Sequence, residues 1–527
     1  MFKKAVFITV LLAALSFGTA FAIQIDGMVS LNGPTSTSGT FIPVSNFVNP
    51  GGLADALIYG YYNVRDNFAT FFTVTNTATY GVRARIRFRE AATQTATSAG
   101  DPMVSAGCDN GSQEVLDFDI CLTPGDMWSG VIQTGSNGAG LLTSPDTDTY
   151  VQTQIASTGT PNPAVIFPTA YPAGVSFKFG TNNVVTSITA DQTREGYFEV
   201  IGERLLNTNC GGSSSNKCTC GDLLDVKEDG VTPIPTADLS EPFQGLPVGN
   251  VLMGHTYIVN LSEATTFAYA ATALADFNTV DDITNPLTTN EPNLRDNNFD
   301  TSAIGSVNYA LTKSNLLTVY DVESSVEGNT EVIITFPTKW ATHTDYFDTD
   351  ENACDPNGNL GSSGGEVAND EFHNDIFDDT NVKITVWDDK EQSPTSSCSF
   401  SPCPAGAGVT LPSEVNVVSI NGSTIFTTDG LVALASPFEF GWLNIDLTTG
   451  TNGATNPPHR TACDTSENFE CNTNGSICGN SLFCSVGDSA VTYGLPVIGY
   501  NVMKFGAGDI PGLIPLQYET IITPETD

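Results

Sequence analysis

The sequence predicts an all-β fold, organised as β-sandwich domains. Thr, Val, Ile, Phe and Tyr recur in short runs, and Gly, Pro, Asn, Asp and Ser separate these runs. Several runs alternate apolar and polar residues, which is typical of strands with one buried face. Many short strands at roughly regular spacing, with turn residues between them, favour a sandwich. Only the stretch at 263–277 is predicted to be a helix, and its apolar spacing is ambiguous.

The predicted strands are spread along almost the whole chain. In order they are 55–64, 69–77, 82–90, 114–122, 126–134, 195–203, 255–261, 316–322, 330–337, 381–389, 438–447, 493–505 and 516–523. Each is a short run rich in β-branched or aromatic residues, with turn-forming residues at its ends.

The first 22 residues have the features of a secretory signal peptide. Lys3 and Lys4 precede the apolar run AVFITVLLAAL, and the small residues AFA place the cleavage point after Ala22. A retained anchor helix is the alternative, but the apolar run is short for a membrane span. No later segment approaches 18 uninterrupted apolar residues, so we expect no transmembrane span after cleavage. We therefore expect a secreted, extracellular or cell-surface protein, with the periplasm as an alternative.

The chain is strongly acidic. It has 19 Lys plus Arg against 59 Asp plus Glu, which gives a formal net charge of −40. Such a chain is soluble and repels other copies of itself. It lacks the basic surface with which proteins bind nucleic acid, so no nucleic-acid partner is expected. An apolar content of 40% is enough to form hydrophobic cores, which argues against intrinsic disorder.

Composition divides the chain into three parts after the signal peptide at 1–22. We expect an N-terminal β-sandwich at 23–203 and a connection at 204–250 that is rich in Gly, Ser, Pro and Cys. A C-terminal β-rich domain with long acidic loops is expected at 251–527. Linker-like composition between two strand-rich regions is what supports this division.

The stretch TYGVRARIRFREAA at 79–92 places four arginines at alternate positions: Arg83, Arg85, Arg87 and Arg89. In a strand they share one face, and the apolar residues between them share the other, core-facing side. The next predicted strand carries Asp117 and Asp119 on one of its faces. If the two strands pair, the arginines meet these acids across the sheet, which favours internal charge matching. A surface for self-association or for an anionic partner is the alternative.

Twelve cysteines in an exported chain favour disulfides over free thiols. They are Cys108, Cys121, Cys210, Cys218, Cys220, Cys354, Cys398, Cys403, Cys463, Cys471, Cys478 and Cys484. Spacing favours one local pair at 108 and 121 and another at 398 and 403. One of the three cysteines between 210 and 220 would then pair with Cys354, and the connectivity of the last four stays open. A metal cluster is the alternative.

One acidic loop suggests a Ca²⁺ site. The sequence DTDENACDPNGN places Asp348, Asp350 and Asn352 at the first, third and fifth positions of a calcium-loop spacing, and oxygen ligands at alternate positions suit Ca²⁺. Ala353 and Asn359 occupy the sixth and twelfth positions, where an EF-hand loop has Gly and Glu. A solvated acidic loop is the alternative. No haem-attachment motif is present, and neither haem nor a nucleotide cofactor is expected.

No motif nominates a catalytic centre. The four histidines do not have the spacing of a zinc motif: His255, His343, His373 and His459. The sequence GSSGG around Ser363 matches a nucleophile pattern but lacks the preceding strand and the following helix. Four tryptophans could line a sugar groove, with core packing as the alternative: Trp128, Trp340, Trp387 and Trp442. We predict a protein that is not an enzyme.

The order of elements between 69 and 133 resembles immunoglobulin-like sandwich modules of bacterial exported proteins. It runs strand, TNTATYG turn, strand, long loop, strand, LTPGD turn, strand. The acidic, Thr-, Asn-, Gly- and Ser-rich composition resembles bacterial surface-layer and cell-surface proteins, although the twelve cysteines are a departure from them. The resemblance implies immunoglobulin-like β-sandwich domains with long disulfide-tied loops. It also implies stabilisation by Ca²⁺, and self-association in a lattice or oligomer, or a cell-surface glycan, as the partner.

These observations favour an exported, non-catalytic structural or interaction protein of the bacterial cell surface, of the surface-layer or extracellular-matrix type. The first alternative is an extracellular carbohydrate-binding or carbohydrate-active protein, for which exposed Trp or Tyr beside carboxylates is expected. The second alternative is an outer-membrane β-barrel, which needs lipid-facing strands of about 9–11 residues.

Overall fold

Short apolar or alternating runs form strands throughout the part of the chain that the computed structural model describes. The described residues are 47–79, 81–91, 112, 114–145, 150–151, 165–166, 174–179, 188–206, 249–263, 265–275, 277, 294, 307, 310–339, 380–390, 409–411, 413–434, 436, 438–447, 495–506 and 512–516. All of them belong to one unit that spans Pro43–Asp527. The regular structure in these ranges is almost entirely β, which confirms the predicted all-β class.

Twenty-five strands follow one another along the described residues. They are β1 (Phe47–Val48), β2 (Ala56–Asn63), β3 (Phe68–Asn76), β4 (Gly81–Glu90), β5 (Glu114–Leu122), β6 (Met127–Thr134), β7 (Gly140–Thr143), β8 (Tyr150–Val151), β9 (Val165–Ile166), β10 (Val175–Ser176), β11 (Glu195–Leu206), β12 (Leu252–Asn260), β13 (Thr265–Ala270), β14 (Thr272–Ala275), β15 (Thr312–Lys313), β16 (Asn315–Asp321), β17 (Asn329–Thr335), β18 (Thr380–Asp388), β19 (Val409–Leu411), β20 (Val415–Ser419), β21 (Leu431–Ala433), β22 (Phe440–Asp446), β23 (Leu495–Pro496), β24 (Ile498–Phe505) and β25 (Gly512–Leu516). Two short 3-10 helices, Gln192–Arg194 and Ser324–Val326, lie between them.

The strands form four main sheets. Sheet I has the order β1-β14-β2-β11-β4-β5, and sheet II has the order β10-β7-β6-β3-β12-β13. Sheet III has the order β21-β20-β17-β24-β25, and sheet IV has the order β16-β22-β18-β19. The pairs β15-β23 and β8-β9 form two small sheets. Every pairing is antiparallel except the one between β20 and β21.

An aromatic core lies between sheets I and II. Phe198 of β11 stacks on Tyr59 of β2 with ring centroids 4.2 Å apart, and Phe72 of β3 approaches Phe198 from the opposite sheet at 4.6 Å. Trp128 of β6 is fully buried in the same cluster, so this tryptophan packs in the core and lines no sugar groove. Full burial of a large apolar side chain contributes about 1.5–3 kcal/mol, and this core contains many of them.

The opposite face of sheet I packs against sheet III. Tyr61 of β2, Ile333 of β17 and Tyr500 of β24 belong to one buried cluster. Because both of its faces are covered, β2 is buried at all eight positions. A side chain at Gly60 would place its Cβ 2.8 Å from the ring of Tyr500, so glycine allows this close approach of the two sheets.

A third core lies between sheets III and IV. Val332 and Ile334 of β17 pack with Ile384 of β18 and Leu443 of β22. The sheets therefore follow one another in the order II, I, III and IV, and the β13 end of sheet II also packs against sheet III. The central strands β2 and β17 are buried along almost their whole length, whereas β21 at the edge of sheet III is exposed and sheet IV has one face directed outwards.

The segment 263–277 is not the helix that the sequence predicts, and this prediction is wrong. It forms β13 and β14. Phe267 and Tyr269 point inwards at alternate positions of β13, and the strand pairs with β12 along its whole length. The six alanines in the segment favour a helix. The period-two burial of its aromatic residues against sheet III outweighs that preference.

Twelve of the thirteen predicted strands coincide with strands of the structure. Each of the first twelve overlaps a strand of the described chain, whereas β25 ends at Leu516 and most of the predicted strand at 516–523 lies outside the described residues. The three strands that follow the predicted connection at 204–250 join the sheets formed by strands that precede it. β12 pairs with β3, β13 extends the same sheet, and β14 pairs with β2.

Candidate functional site

The predicted row of arginines lies on β4, on a face that is buried. β4 pairs with β5 in antiparallel register, with Arg87 opposite Asp117, so the condition for charge matching across these two strands is met. The side chains of Arg85 and Arg87 are only 3% exposed, and that of Arg89 is 7% exposed. Arg83 lies opposite Cys121 in the same register. The alternation of arginines and apolar residues predicts that one face of β4 is buried, whereas both faces of β4 are buried in the structure.

Carboxylates of the same chain neutralise this row. Arg85 forms an ion pair with Asp117. The Nε atom of Arg87 donates to Glu114 at 2.8 Å, and one terminal nitrogen of Arg87 donates to Glu199 of β11 at 2.9 Å. Burial raises the pKa of Glu199, and the positive charge of Arg87 opposes this rise. The charges are thus matched inside the molecule, and a partner surface at Arg85 or Arg87 would require their exposure.

The far end of the arginine row connects sheet I to sheet III. Arg89 donates to the carbonyl oxygen of Ser112 at 2.9 Å. The backbone amide of Ser112 and the hydroxyl of Tyr197 both donate to Glu414, at 2.8 and 2.7 Å. Glu414 immediately precedes β20 and is fully buried, and this burial raises its pKa. The network therefore connects β4 and β11 in one sheet to β20 in the next.

A second ionic cluster surrounds Arg65, just after the end of β2. Arg65 contacts Asp191 at 2.6 Å, Asp429 at 2.5 Å and Glu195 at 3.8 Å. Asp429 lies 364 residues further along the chain. The guanidinium is only 5% exposed, so the contact holds a sequence-distant loop against the end of sheet I. Because the carboxylates come from two separate segments, 191–195 and the loop at Asp429, the cluster forms only when both are folded against the end of β2.

The loop at 425–429, with the sequence IFTTD, fills the junction between sheets I, II and III, and we call it the clasp. Phe426 packs against the rings of Tyr61, Phe68 and Phe267, with centroids 5.4, 4.9 and 6.3 Å away. Asn63 donates to the carbonyl oxygen of Thr427 at 3.0 Å. An aromatic anchor surrounded by hydrogen bonds thus holds the clasp to the first pair of sheets.

Two buried carboxylates accept hydrogen bonds from the clasp. Glu331 of β17 accepts from the backbone amides of Ile425 and Phe426 at 2.5 and 3.2 Å, and Glu195 of β11 accepts from that of Asp429 at 3.2 Å. Burial raises the pKa of Glu195 to about 7, against the opposing effect of its hydrogen bonds and of Arg65. Burial, reinforced by the charge of Glu195, raises the pKa of Glu331 to about 8. Both groups therefore titrate near neutral pH.

A solvent-open cleft of about 630 Å³ lies next to this cluster, at the turn between β2 and β3. Asp66 and Asn67 have positive φ angles of 46° and 69°, and the backbone amide of Phe68 donates to the carbonyl oxygen of Arg65 at 2.9 Å. This tight turn carries the chain from sheet I to sheet II. Asp66 accepts a hydrogen bond from Thr427, and Arg194 forms an ion pair with Asp191. Since charged groups at the cleft have partners within the chain, the cleft offers little that would hold a ligand.

The outer surface of sheet IV differs from the rest of the described molecule. Its residues alternate along β16, β22 and β18, and the outward positions carry apolar and aromatic side chains. We call this surface the aromatic face and define it by five residues: Leu317, Val319, Trp387, Phe440 and Trp442. Trp387 and Trp442 are opposite one another in register, and their rings stack at 3.9 Å with an angle of 9° between the planes. Phe440 is 50% exposed, Leu317 42% and Trp442 36%.

Hydrogen-bonding side chains continue the aromatic face along the same strands. Asn444 of β22 lies opposite Thr385 of β18, and Asp446 lies opposite Lys383. The Oδ1 atom of Asn444 is buried and has no hydrogen-bond partner within the described part of the chain. A buried acceptor without a partner lowers stability. Apolar and polar side chains are mixed on the outer surface of sheet IV, because Leu317 lies opposite Asn444 and Asp321 lies opposite Phe440.

Several predicted site residues lie outside the described residues. They include the Ca²⁺ candidates Asp348, Asp350 and Asn352, together with Trp340, Ser363, His343, His373 and His459. All cysteines except Cys121 also lie outside, and Cys121 belongs to β5. His255 lies in β12, where burial lowers its pKa.

In the described ranges, His, Cys, Asp and Glu side chains form no group of three that could hold a metal ion. Among the helical residues of these same ranges, we find no segment with the length and apolar character required to cross a bilayer.

Comparisons with known proteins add no relative. The chain matches no protein-family model, no curated protein and no solved structure at a significant level of similarity.

Proposed function

We propose that the chain is an exported, non-catalytic structural or interaction protein of the bacterial cell surface, of the surface-layer or extracellular-matrix type. The observation that carries this proposal is the continuous stack of four sheets, in which the buried charges connect one layer to the next. Arg65, Glu195, Glu331 and Glu414 all make contacts between one layer and a segment of another. Buried charges that hold the layers together, instead of facing solvent, are what we expect in a rigid structural protein.

We also propose that the sheet pairs are immunoglobulin-like sandwiches. In support, the chain passes repeatedly between the two sheets of the first pair: β2 and β4 lie in sheet I, whereas β3 and β6 lie in sheet II. Such crossing between face-packed antiparallel sheets is typical of this class. Long loops tied by disulfides and stabilised by Ca²⁺ remain part of the proposal, because export favours disulfides and a net charge of −40 favours bound cations.

Export is the first requirement of this proposal and can be tested directly. We expect the chain to be found in the envelope or the medium after fractionation of native cells, with its N-terminus at Ile23. A matched chain without residues 2–22 should stay in the cytoplasm, which controls for lysis. Recovery of the full chain in the cytoplasm, with its N-terminus uncleaved, would contradict the proposal.

A further inference from the structure

Four Asn-x-Ser sequences in the chain have the pattern at which N-linked glycans are attached to exported proteins. They begin at Asn110, Asn260, Asn421 and Asn474, and the asparagines at 110 and 474 lie outside the described residues. Asn260 and Asn421 can be compared directly in the structure, and they differ in their exposure to solvent.

The turn at 421–424, with the sequence NGST, lies between β20 and β21 and is exposed at all four positions. Gly422 has a φ angle of 77°, and a Cβ atom built on this glycine would meet no atom within 4 Å. The open space around Gly422 therefore leaves room for a bulky group on the neighbouring Asn421.

The hydrogen bonds of this turn hold its backbone and fix the carboxamide of Asn421. The Oδ1 atom of Asn421 accepts from the backbone amide of Ser423 at 2.9 Å, and the carbonyl oxygen of Ser423 accepts from the hydroxyl of Ser419. Because the carboxamide is planar, the Nδ2 atom of Asn421 points away from the Ser423 amide. The bond that holds the turn thus uses the oxygen of the carboxamide and leaves its nitrogen, the atom that carries an N-linked glycan, on the other side.

Asn260 has the same sequence pattern but is only 6% exposed. Its Oδ1 atom accepts from the backbone amides of Ser262 and Glu263 at 3.0 and 3.1 Å, and from the hydroxyl of Ser262 at 2.7 Å. Asn260 also lies in register between Phe68 of β3 and Thr265 of β13. A sugar on Asn260 would therefore disturb the end of sheet II, whereas the turn at 421–424 accommodates one.

We propose that Asn421 is a site of N-linked glycosylation. The proposal rests on the export that the proposed function requires, because the oligosaccharide transferases that make this linkage act on exported chains. The Nδ2 atom of Asn421 forms a bond to the anomeric carbon of an oligosaccharide carried on a lipid pyrophosphate. The bond between that carbon and the pyrophosphate oxygen breaks, the lipid pyrophosphate leaves with the electron pair, and the amide proton passes to a base of the transferase.

The test is mass spectrometry of peptides from the full chain purified out of the envelope or the medium of native cells. We expect the peptide that contains Asn421 to carry sugar on this residue, and the peptide that contains Asn260 to be unmodified. Ser423→Ala should abolish the modification, because it removes the hydroxyl of the sequence pattern and keeps the backbone amide that holds Asn421. Ser423→Thr preserves the pattern and should keep the sugar.

Ser262→Ala is the matched control, since it removes the same hydroxyl from the buried pattern at Asn260, and its Asn421 peptide should be modified as in the unaltered chain. An unmodified Asn421 in protein whose N-terminus is Ile23 overturns the proposal and leaves the proposed export intact. Sugar on the Asn421 peptide that persists in Ser423→Ala equally overturns it, because another residue then carries the sugar. A cytoplasmic chain with an uncleaved N-terminus and an unmodified Asn421 contradicts the proposed function as well.

Discussion

At the scale of single residues, Glu195 and Glu331 make the stability of the fold depend on pH, as do the buried carboxylates Glu199 and Glu414, whose pKa values are also raised. Glu195 and Glu331 are both buried at the clasp, and their pKa values are raised to about 7 and about 8 from an ordinary value of 4.5. The folded chain therefore holds protons that the unfolded chain releases between pH 4.5 and 8. Stability that depends on these protons is fully present below pH 4.5 and is lost as the pH rises through 7 and 8.

We predict that Glu331→Gln flattens this pH dependence. The free energy of unfolding of the unaltered chain should fall between pH 5 and pH 8, and each unit of raised pKa corresponds to about 1.4 kcal/mol. An amide cannot titrate, so the variant should lose the part of the slope that Glu331 contributes. Denaturant unfolding at several pH values measures the slope. The exposed Glu439→Gln is the control, and equal slopes for both variants would refute the assignment.

Substitution of Arg87 tests how much a buried ion pair contributes to the free energy of unfolding. Arg87→Met leaves Glu199 buried without its partner, which we expect to lower the free energy of unfolding by about 3–5 kcal/mol. Lys178 also faces a buried carboxylate, Asp117, but its side chain is 39% exposed. Lys178→Met should therefore lower the free energy of unfolding by less than about 1 kcal/mol. Chemical denaturation of both variants compares them, and similar losses would show that burial is not what makes the Arg87 pair strong.

Residue patterns alone predict part of this chemistry. The alternation in β4 and the acids of β5 predict the strand pairing and the matched charges, because both depend on neighbouring strands. The burial of Arg85 and Arg87 is not predictable from that pattern, since the alternation of apolar and charged residues indicates only one buried face. The exposure of Trp442 and the burial of Trp128 are likewise set by the layer in which each strand lies, and the two tryptophans look alike in sequence.

At the scale of elements, the clasp is the feature that sequence patterns do not indicate. IFTTD reads as an ordinary loop, and its contacts with Asn63 and Arg65 join residues 364 positions apart. The strands themselves are predictable because period-two alternation is local. The helix prediction at 263–277 is wrong for the same reason that the clasp is not predictable, namely that contacts with distant segments decide the structure. The alanines of this segment favour a helix, but the packing of Phe267 and Tyr269 against sheet III favours a strand.

We predict that Phe426→Ala weakens the junction that the clasp holds. Removal of a buried phenylalanine ring should lower the free energy of unfolding by about 3–5 kcal/mol. Since the ring contacts both sheet I and sheet II, we also expect thermal unfolding to separate into two transitions. Differential scanning calorimetry measures both effects. Leu431→Ala, at a 40% exposed position of the nearby β21, is the control, and a loss no larger than in this control would contradict the role of the clasp.

At the scale of the whole molecule, the proposed disulfides and Ca²⁺ concern segments outside the described residues. We predict that peptide mapping without reduction finds disulfide-linked peptides in protein isolated from its native compartment. Export and twelve cysteines are the reasons for this expectation. Twelve free thiols would contradict it.

The Ca²⁺ proposal predicts that chelation lowers the melting temperature. A bound divalent cation offsets the repulsion within a chain of net charge −40, so its removal should destabilise the fold. Asp348→Asn combined with Asp350→Asn should remove most of the response to chelator, if that loop is the site. An unchanged melting temperature and the absence of Ca²⁺ in elemental analysis would refute the proposal.

The central claim is that this stack of sheets is a building block of the cell surface. Immunogold electron microscopy of intact native cells, with antibody against the mature chain, tests it most directly. We predict label along the outer surface of the envelope, or on material attached to it. Label confined to the cytoplasm would contradict the claim.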